Sequence, residues 1–274
     1  MAAKNYRFKS GGFLLPITCL LVALVGALDF ADVPLRFWEW SVLTRYDEAG
    51  QDVGDDLAAE ADRLNAVLEV YALLFNVTFF GTAVPFLMLT YRAGANAHVV
   101  ADGVDYTAGS GVWWHFVPIA SLVKPASAMS EFYRASVAGG DRWRDRPTPP
   151  PVAWWWGLWL TGNVLGYVSA GLVRAGKGRD DYLLERWSSW VDIAAGFVGA
   201  GLAAAAIVMF RRMFAAQEAR ALHGGTGADP AGGLAESCRQ CGQPISGDPR
   251  ECGLCGAARP ARRGPVRDDE PSMR

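Results

Sequence analysis

Apolar residues in this chain are bunched into four long blocks, at 13–28, 70–90, 152–173 and 190–210. Each is long enough, or nearly so, to cross a hydrocarbon core of about 30 Å as a helix. A fifth stretch, Trp113 to Ser136 (WWHFVPIASLVKPASAMSEFYRAS), begins like a membrane segment and ends like a surface helix. Only Val112 to Val123 is free of formal charge, well short of the roughly 20 residues a span needs, and Pro118 and Pro125 each remove a backbone donor. From Leu122 a helical projection places Ala126, Met129, Tyr133 and Ser136 on one side, with Lys124, Ser127, Glu131 and Arg134 on the other. Trp113 and Trp114 are the residue type that settles at headgroup level, so the segment reads as re-entrant or interfacial.

The pattern predicts an all-α integral membrane protein. Residues 1–30 form an N-terminal transmembrane anchor, with Lys4, Arg7 and Lys9 before the apolar run; Val25-Gly26-Ala27 would also serve as a signal-peptide cleavage site. Residues 31–66 form an acidic extracytoplasmic loop. The membrane domain, 67–213, carries helices at about 68–91, 112–136 (the re-entrant or amphipathic segment), 152–174 and 190–213. Leu57, Ala61, Leu64, Leu68 and Tyr71 form one stripe, so the second helix projects above the membrane, and Pro85 should bend it. Gly162, Gly166 and Ala170 recur at four-residue intervals, as do Ala195, Gly199 and Ala203, which predicts a tight hairpin of the last two helices. A flexible linker (214–236), a zinc-ribbon-like module (237–257) and a disordered Arg-rich tail (258–274) complete the chain.

Composition alone, 51% hydrophobic and 20% charged, would also suit a soluble protein; it is the bunching that decides. A net charge of −2 gives no footing for nucleic-acid binding. Its distribution sets topology. Lys and Arg number three before the first span, three in 31–66 against nine carboxylates, six in 91–151, four in 174–189 and ten from Arg211 onward. The positive-inside bias therefore places both termini and the 91–151 segment in the cytoplasm, which requires an even number of crossings.

Three pieces in this order, Tyr91-Arg92-Ala93 with Asn96-Ala97, then the Trp113–Ser136 stretch, then WWWGLWLTGNVLG after a proline linker, resemble a bacterial membrane-protein family, domain of unknown function 4328 (DUF4328). The resemblance covers roughly residues 60–212. Its motif positions here include Arg92, Trp114, Phe116, Pro118, Pro125, Glu131, Arg134 and Ser136, while Ser121 stands where an asparagine is expected. The resemblance implies a multi-span bacterial membrane protein and brings no activity with it.

The sharpest chemical signal lies outside that region. Cys238-Arg-Gln-Cys241-Gly and Cys252-Gly-Leu-Cys255-Gly are two C-x-x-C-G turns that can present four thiolates tetrahedrally to one structural zinc. A rubredoxin-like iron site and two disulfides are the alternatives. Cys19, inside the first apolar run, reads as a buried hydrophobe. Glu69 and Asp192 lie near the outer ends of spans, Asn76 and Asn163 within them, and His115 beside the membrane with no second ligand spaced to join it. No nucleophile elbow, phosphate loop or paired-histidine helix is present, and an enzyme would need Glu69, Asp192 or His115 to converge. The reading is an interaction or regulatory component of the bacterial cytoplasmic membrane, contacting the bilayer and, through the ribbon, a cytoplasmic protein, with homo-oligomerisation open. Its rival is an oligomeric small-molecule or ion transporter whose broken Trp113–Pro125 segment lines a cavity.

Overall fold

The computed structural model describes residues 6–138, 143–177 and 182–224, and every regular element among them is helical. Six α-helices follow in order: α1 (Leu14–Ala49), α2 (Asp55–Val100), α3 (Ala108–Trp113), α4 (Lys124–Ala138), α5 (Pro150–Gly176) and α6 (Leu183–Gly224), with two 3-10 turns, Trp114–Phe116 and Ala120–Leu122, between α3 and α4. Residues 1–220 cluster as one unit, separate from 221–274. Cys238, Cys241, Cys252 and Cys255, the linker beyond 224 and the Arg-rich tail lie outside the described residues.

Residues 31–66 are not a loop. α1 runs unbroken from Leu14 through Ala49, and only 50–54 separate it from α2. At 1.5 Å per residue α1 is about 54 Å long and α2 about 69 Å, roughly twice a hydrocarbon core. The helix survives its charged half because those charges recur at helical spacing and pair along it. Arg36 Nε lies 3.1 Å from Asp32 Oδ2, one turn back, and its terminal nitrogen 3.0 Å from Glu39 Oε2, one turn ahead. Pro34 and Pro85 both sit inside helices that continue past them.

The four long helices run up, down, up and down. At one end, here the hairpin end, the last turn of α1 meets the start of α6: Arg186 pairs with Asp47 at 3.1 Å, and the Tyr46 and Tyr182 rings meet edge to face. At the other end, the base, the start of α1, the ends of α2 and α6 and the start of α5 surround α3 and α4. α1, α2 and α6 are long and apolar enough to cross a membrane. α5 has the length, about 40 Å, but carries tryptophans at 154, 155, 156 and 159. Of the four spans expected, three are therefore met by length and composition.

Large apolar side chains stay outside the bundle. On α2, Val67, Val70, Leu74, Val77, Val84 and Met88 follow one another at helical spacing and are exposed. So regular a stripe on a helix this long requires an apolar solvent. The core sits instead at the base, where Leu89, Met129, Phe132, Phe210, Met213 and Phe214 are at most 1% exposed.

Two packing expectations are corrected. The small-residue face of α6 receives α1 more closely than α5. A Cβ at Gly196 would fall 2.6 Å from the Asp29 carbonyl oxygen, one at Gly199 would collide with the Asp29 carboxyl, and one at Gly26 would fall 2.5 Å from Ala203. Gly162 has only Val198 nearby and Gly166 nothing at all, so the α5–α6 hairpin lacks the close backbone approach that the spacing suggested. Nor is α4 a surface helix. Pro125, Ala128 to Tyr133, Ala135 and Ser136 are buried, Glu131 among them, because the helix is enclosed by α2, α3, α5 and α6.

Candidate functional site

Polar side chains buried at the base form a closed network that ties together segments far apart in sequence. Asn96, one turn before the end of α2, donates from Nδ2 to the Lys9 carbonyl (2.8 Å) and to Gln217 Oε1 (2.9 Å), and its Oδ1 accepts from the Lys9 amide (2.9 Å). Gln217 on α6 donates from Nε2 to the Ala93 carbonyl (3.0 Å) and to Ser136 Oγ (2.8 Å). Ser136, near the end of α4, donates from its hydroxyl to the Phe132 carbonyl at 2.6 Å. Asn96, Gln217 and Ser136 are wholly buried, and both amides use every donor they have. Such a network fixes one arrangement of its elements, since any slip would strand a buried polar atom.

Charged groups fasten the rim. Arg220 donates to the Ser136 (2.8 Å) and Val137 (2.6 Å) carbonyls. Arg92 donates to the Ser10 and Gly11 carbonyls, and Glu218 accepts from Ser10 Oγ and the Gly11 amide. Glu131, reaching back from α4, accepts from the Tyr106 amide at 3.0 Å and from the Asp105 amide. Burial pushes its carboxyl above the ordinary range, and the two amides partly offset that. Arg134 donates to the Arg146 carbonyl at 2.8 Å and lies over the Trp143 ring, holding the segment that leads into α5. Phe132 fills the space left by two glycines: a Cβ at Gly94 or Gly111 would come within 2.8 or 2.7 Å of its ring.

The motif positions thus divide. Arg92, Pro125, Glu131, Arg134 and Ser136 build the base, while Trp114, Phe116 and Pro118 lie in the irregular segment beside it. There Trp113, Phe116, Ile119 and Val123 are 61–83% exposed. Ile119 holds a left-handed φ of 64°, unusual for a β-branched residue. Trp156 of α5 donates to the Leu122 carbonyl at 3.1 Å, and Lys124 stands 5.9 Å from both the Trp114 and Tyr106 rings. His115 Nδ1 faces the Val112 carbonyl at 3.2 Å, burial holds its pKa low, and it belongs to no group of three or more potential metal ligands among the described residues.

A second polar cluster lies toward the hairpin end, where α1 meets α6. Asp192 does join it, 3.7 Å from the Arg36 guanidinium that also binds Asp32 and Glu39, and Ser189 donates to Glu39 at 3.3 Å. Tyr71 donates to the Leu28 carbonyl at 3.1 Å. One oxygen of Asp32 is buried with no hydrogen-bond partner among the described residues. Glu69 is exposed and outside the cluster, so Glu69, Asp192 and His115 do not converge. Asn76 and Asn163 return their amide protons to carbonyls one turn back on exposed faces. The apolar pattern and the motifs do not mark Gln217, Asp29, the Lys9 backbone or the Arg36 face as parts of a site. For the last, the signal was the helical recurrence 29, 32, 36, 39.

No curated protein and no solved structure matches the chain. The family model described as Domain of unknown function (DUF4328) matches residues 50–215, more than half of the length and including α2 to α5 entire. The chain belongs to the DUF4328 family.

Proposed function

We propose that this chain is a four-span component of the bacterial cytoplasmic membrane that works by interaction or regulation, holding a cytoplasmic zinc ribbon at 237–257 for a protein partner. The observation that carries this reading is the closed network of Asn96, Gln217 and Ser136. It contains no titratable group and no open coordination position; its chemistry is to hold α2, α4, α6 and the N-terminal segment in one arrangement. A rigid base from which α6 leads into the tail suits a scaffold.

Parity supports the four crossings. Arg220 binds the Val137 carbonyl, so the ends of α4 and α6 share a side, and α5 must then cross if α6 does. Among the described residues the base also gathers Arg7, Lys9, Arg92, Lys124, Arg134, Arg144, Arg146, Arg211, Arg212 and Arg220, and this charge bias supports a cytoplasmic base. The exposed Trp113, Phe116, Ile119 and Val123 side chains fit a segment dipping into the near leaflet.

Spacing supports one zinc per chain on Cys238, Cys241, Cys252 and Cys255. Metal analysis of the intact protein should find about one zinc per chain, and Cys241→Ser should remove it while the helices keep their melting temperature. Equal zinc in both proteins would place the metal elsewhere. Absence of zinc, with all four thiols blocked to alkylation until reduction, would make the cysteines disulfides and turn the topology inside out.

The rival reading, an oligomeric transporter of ions or small molecules, has one observation in its favour. Asp32, Glu39 and Asp192 share a single arginine beside membrane-crossing helices. Ion flux into proteoliposomes that is lost in Asp32→Asn would favour it.

A further inference from the structure

Beside the base network, between the N-terminal segment and α2, lies a cavity of about 470 Å³ into which three cations are gathered, Arg7, Lys9 and Arg92. Among the described residues no carboxylate lies within ion-pairing distance of any of them. Arg92 uses one terminal nitrogen on the Ser10 and Gly11 carbonyls, and its other nitrogens make no hydrogen bond. The segment bearing Arg7 and Lys9 is pinned through its backbone at Lys9 and Gly11 and through Tyr6, whose ring stacks on His98 at 4.9 Å. The two basic side chains are left free to face the cavity. Three like charges gathered around one space draw an anion to it.

The surroundings decide which anion. Leu14 at the start of α1 and Met88 on the exposed stripe of α2 form one wall, so the cavity opens along the apolar surface of two membrane-crossing helices. Tyr6 and Tyr91, residues of the membrane-water boundary, stand at its polar side. Asn96 also lines it, but its donors and its acceptor are already engaged and it serves as wall. We propose that this basic pocket binds the phosphate of an anionic phospholipid, with the headgroup against Arg7, Lys9 and Arg92 and the acyl chains along Leu14 and Met88. Only the crossing of α1 and α2 is required, so the site is independent of the zinc module and of which side the base faces.

Native mass spectrometry of the full-length chain in detergent, titrated with phosphatidylglycerol, phosphatidylcholine or inorganic phosphate, tests this. The expected result is one retained phosphatidylglycerol per chain, no comparable retention of phosphatidylcholine, and no displacement by millimolar phosphate. Arg7→Gln with Lys9→Gln removes two charges that make no structural bonds and should weaken binding about thirtyfold, each surface cation contributing roughly fivefold. Arg211→Gln with Arg212→Gln, two exposed cations outside the cavity, should leave it nearly unchanged. Equal weakening by both pairs would reduce the effect to general charge attraction and overturn the site. So would equal binding by wild type and the Arg7/Lys9 variant, equal retention of phosphatidylcholine, or displacement by free phosphate.

Discussion

Among the described residues Glu131 is the one carboxylate with a nearly buried side chain at the base, and its geometry explains why it is tolerated. It accepts from the Tyr106 and Asp105 amides, which fastens the 101–107 segment to α4, while burial raises its pKa above the ordinary 4.5. A carboxyl whose pKa is higher in the folded than in the unfolded state binds protons more readily when folded. Its ionised form at neutral pH therefore lowers stability, and stability is regained as pH falls from 7 through the raised value toward 4.5. Glu131→Gln keeps an acceptor for the two amides and removes the charge. It should flatten that part of the melting-temperature profile in micelles, whereas Glu131→Ala, leaving two partly buried amides without their acceptor, should flatten it too and in addition lower stability by about 1–2 kcal/mol relative to Glu131→Gln. A steeper slope in the Gln variant would show that the charge stabilises. Asn96, Glu131 and Ser136 were visible in the sequence as motif positions, though Glu131 was assigned to the outer face of its helix. Their partners were not visible, because Gln217 lies 121 residues from Asn96 and 81 from Ser136, and Lys9 lies 87 from Asn96.

The existence and type of the long helices followed from apolar runs; their ends did not. Hydropathy marks only the apolar run, and α1 and α2 continue past theirs on ion pairs: α1 ends at Ala49, whereas its apolar run ends near Leu28. Splitting that helix concealed the face 29, 32, 36, 39 and with it the contact to Asp192. The small-residue repeats of α6 were legible, but a spacing names no partner. Gly196 and Gly199 take the Asp29 turn of α1, a choice made by where α1 carries its short polar side chain. Arg36 is the hub of this contact, at three-quarters burial with Asp32, Glu39 and Asp192 around it. Arg36→Met would leave three carboxylates partly buried against one another without a counter-charge. A loss of about 3–5 kcal/mol is expected, the range for breaking a buried pair from one side. Adding Asp192→Asn should recover part of it, since one of the repelling charges is then gone. Thermal melting of the single and double variants in the same detergent measures the coupling, and a double variant no more stable than Arg36→Met would place Asp192 outside the network.

At the scale of the whole molecule the base has a sidedness that can be read without locating the membrane. Arg220 near the end of α6 donates to the Ser136 and Val137 carbonyls at the end of α4, so these two points, more than 80 residues apart in sequence, are on one side of any bilayer the bundle crosses. The turn after Ala49 is at the far end of α1, about 54 Å from its start, and lies on the other side if α1 crosses at all. The positive-inside bias then gives the expected sides. Among the described residues the base holds the cation-rich segments, and the hairpin end holds most of the nine carboxylates of 31–66 but also Arg174, Lys177 and Arg186. Those three cations oppose the bias, and at least one is neutralised, Arg186 by Asp47 at 3.1 Å. Reporter fusions after Ala138 and after Ala221 should therefore both report the cytoplasm, and one after Gly50 the exterior. Fusions at 138 and 221 on opposite sides would break the Arg220 contact and with it the whole base network. Agreement of those two with each other, but on the exterior, would keep the fold and invert the assignment, placing the cysteines of the tail in an oxidising compartment.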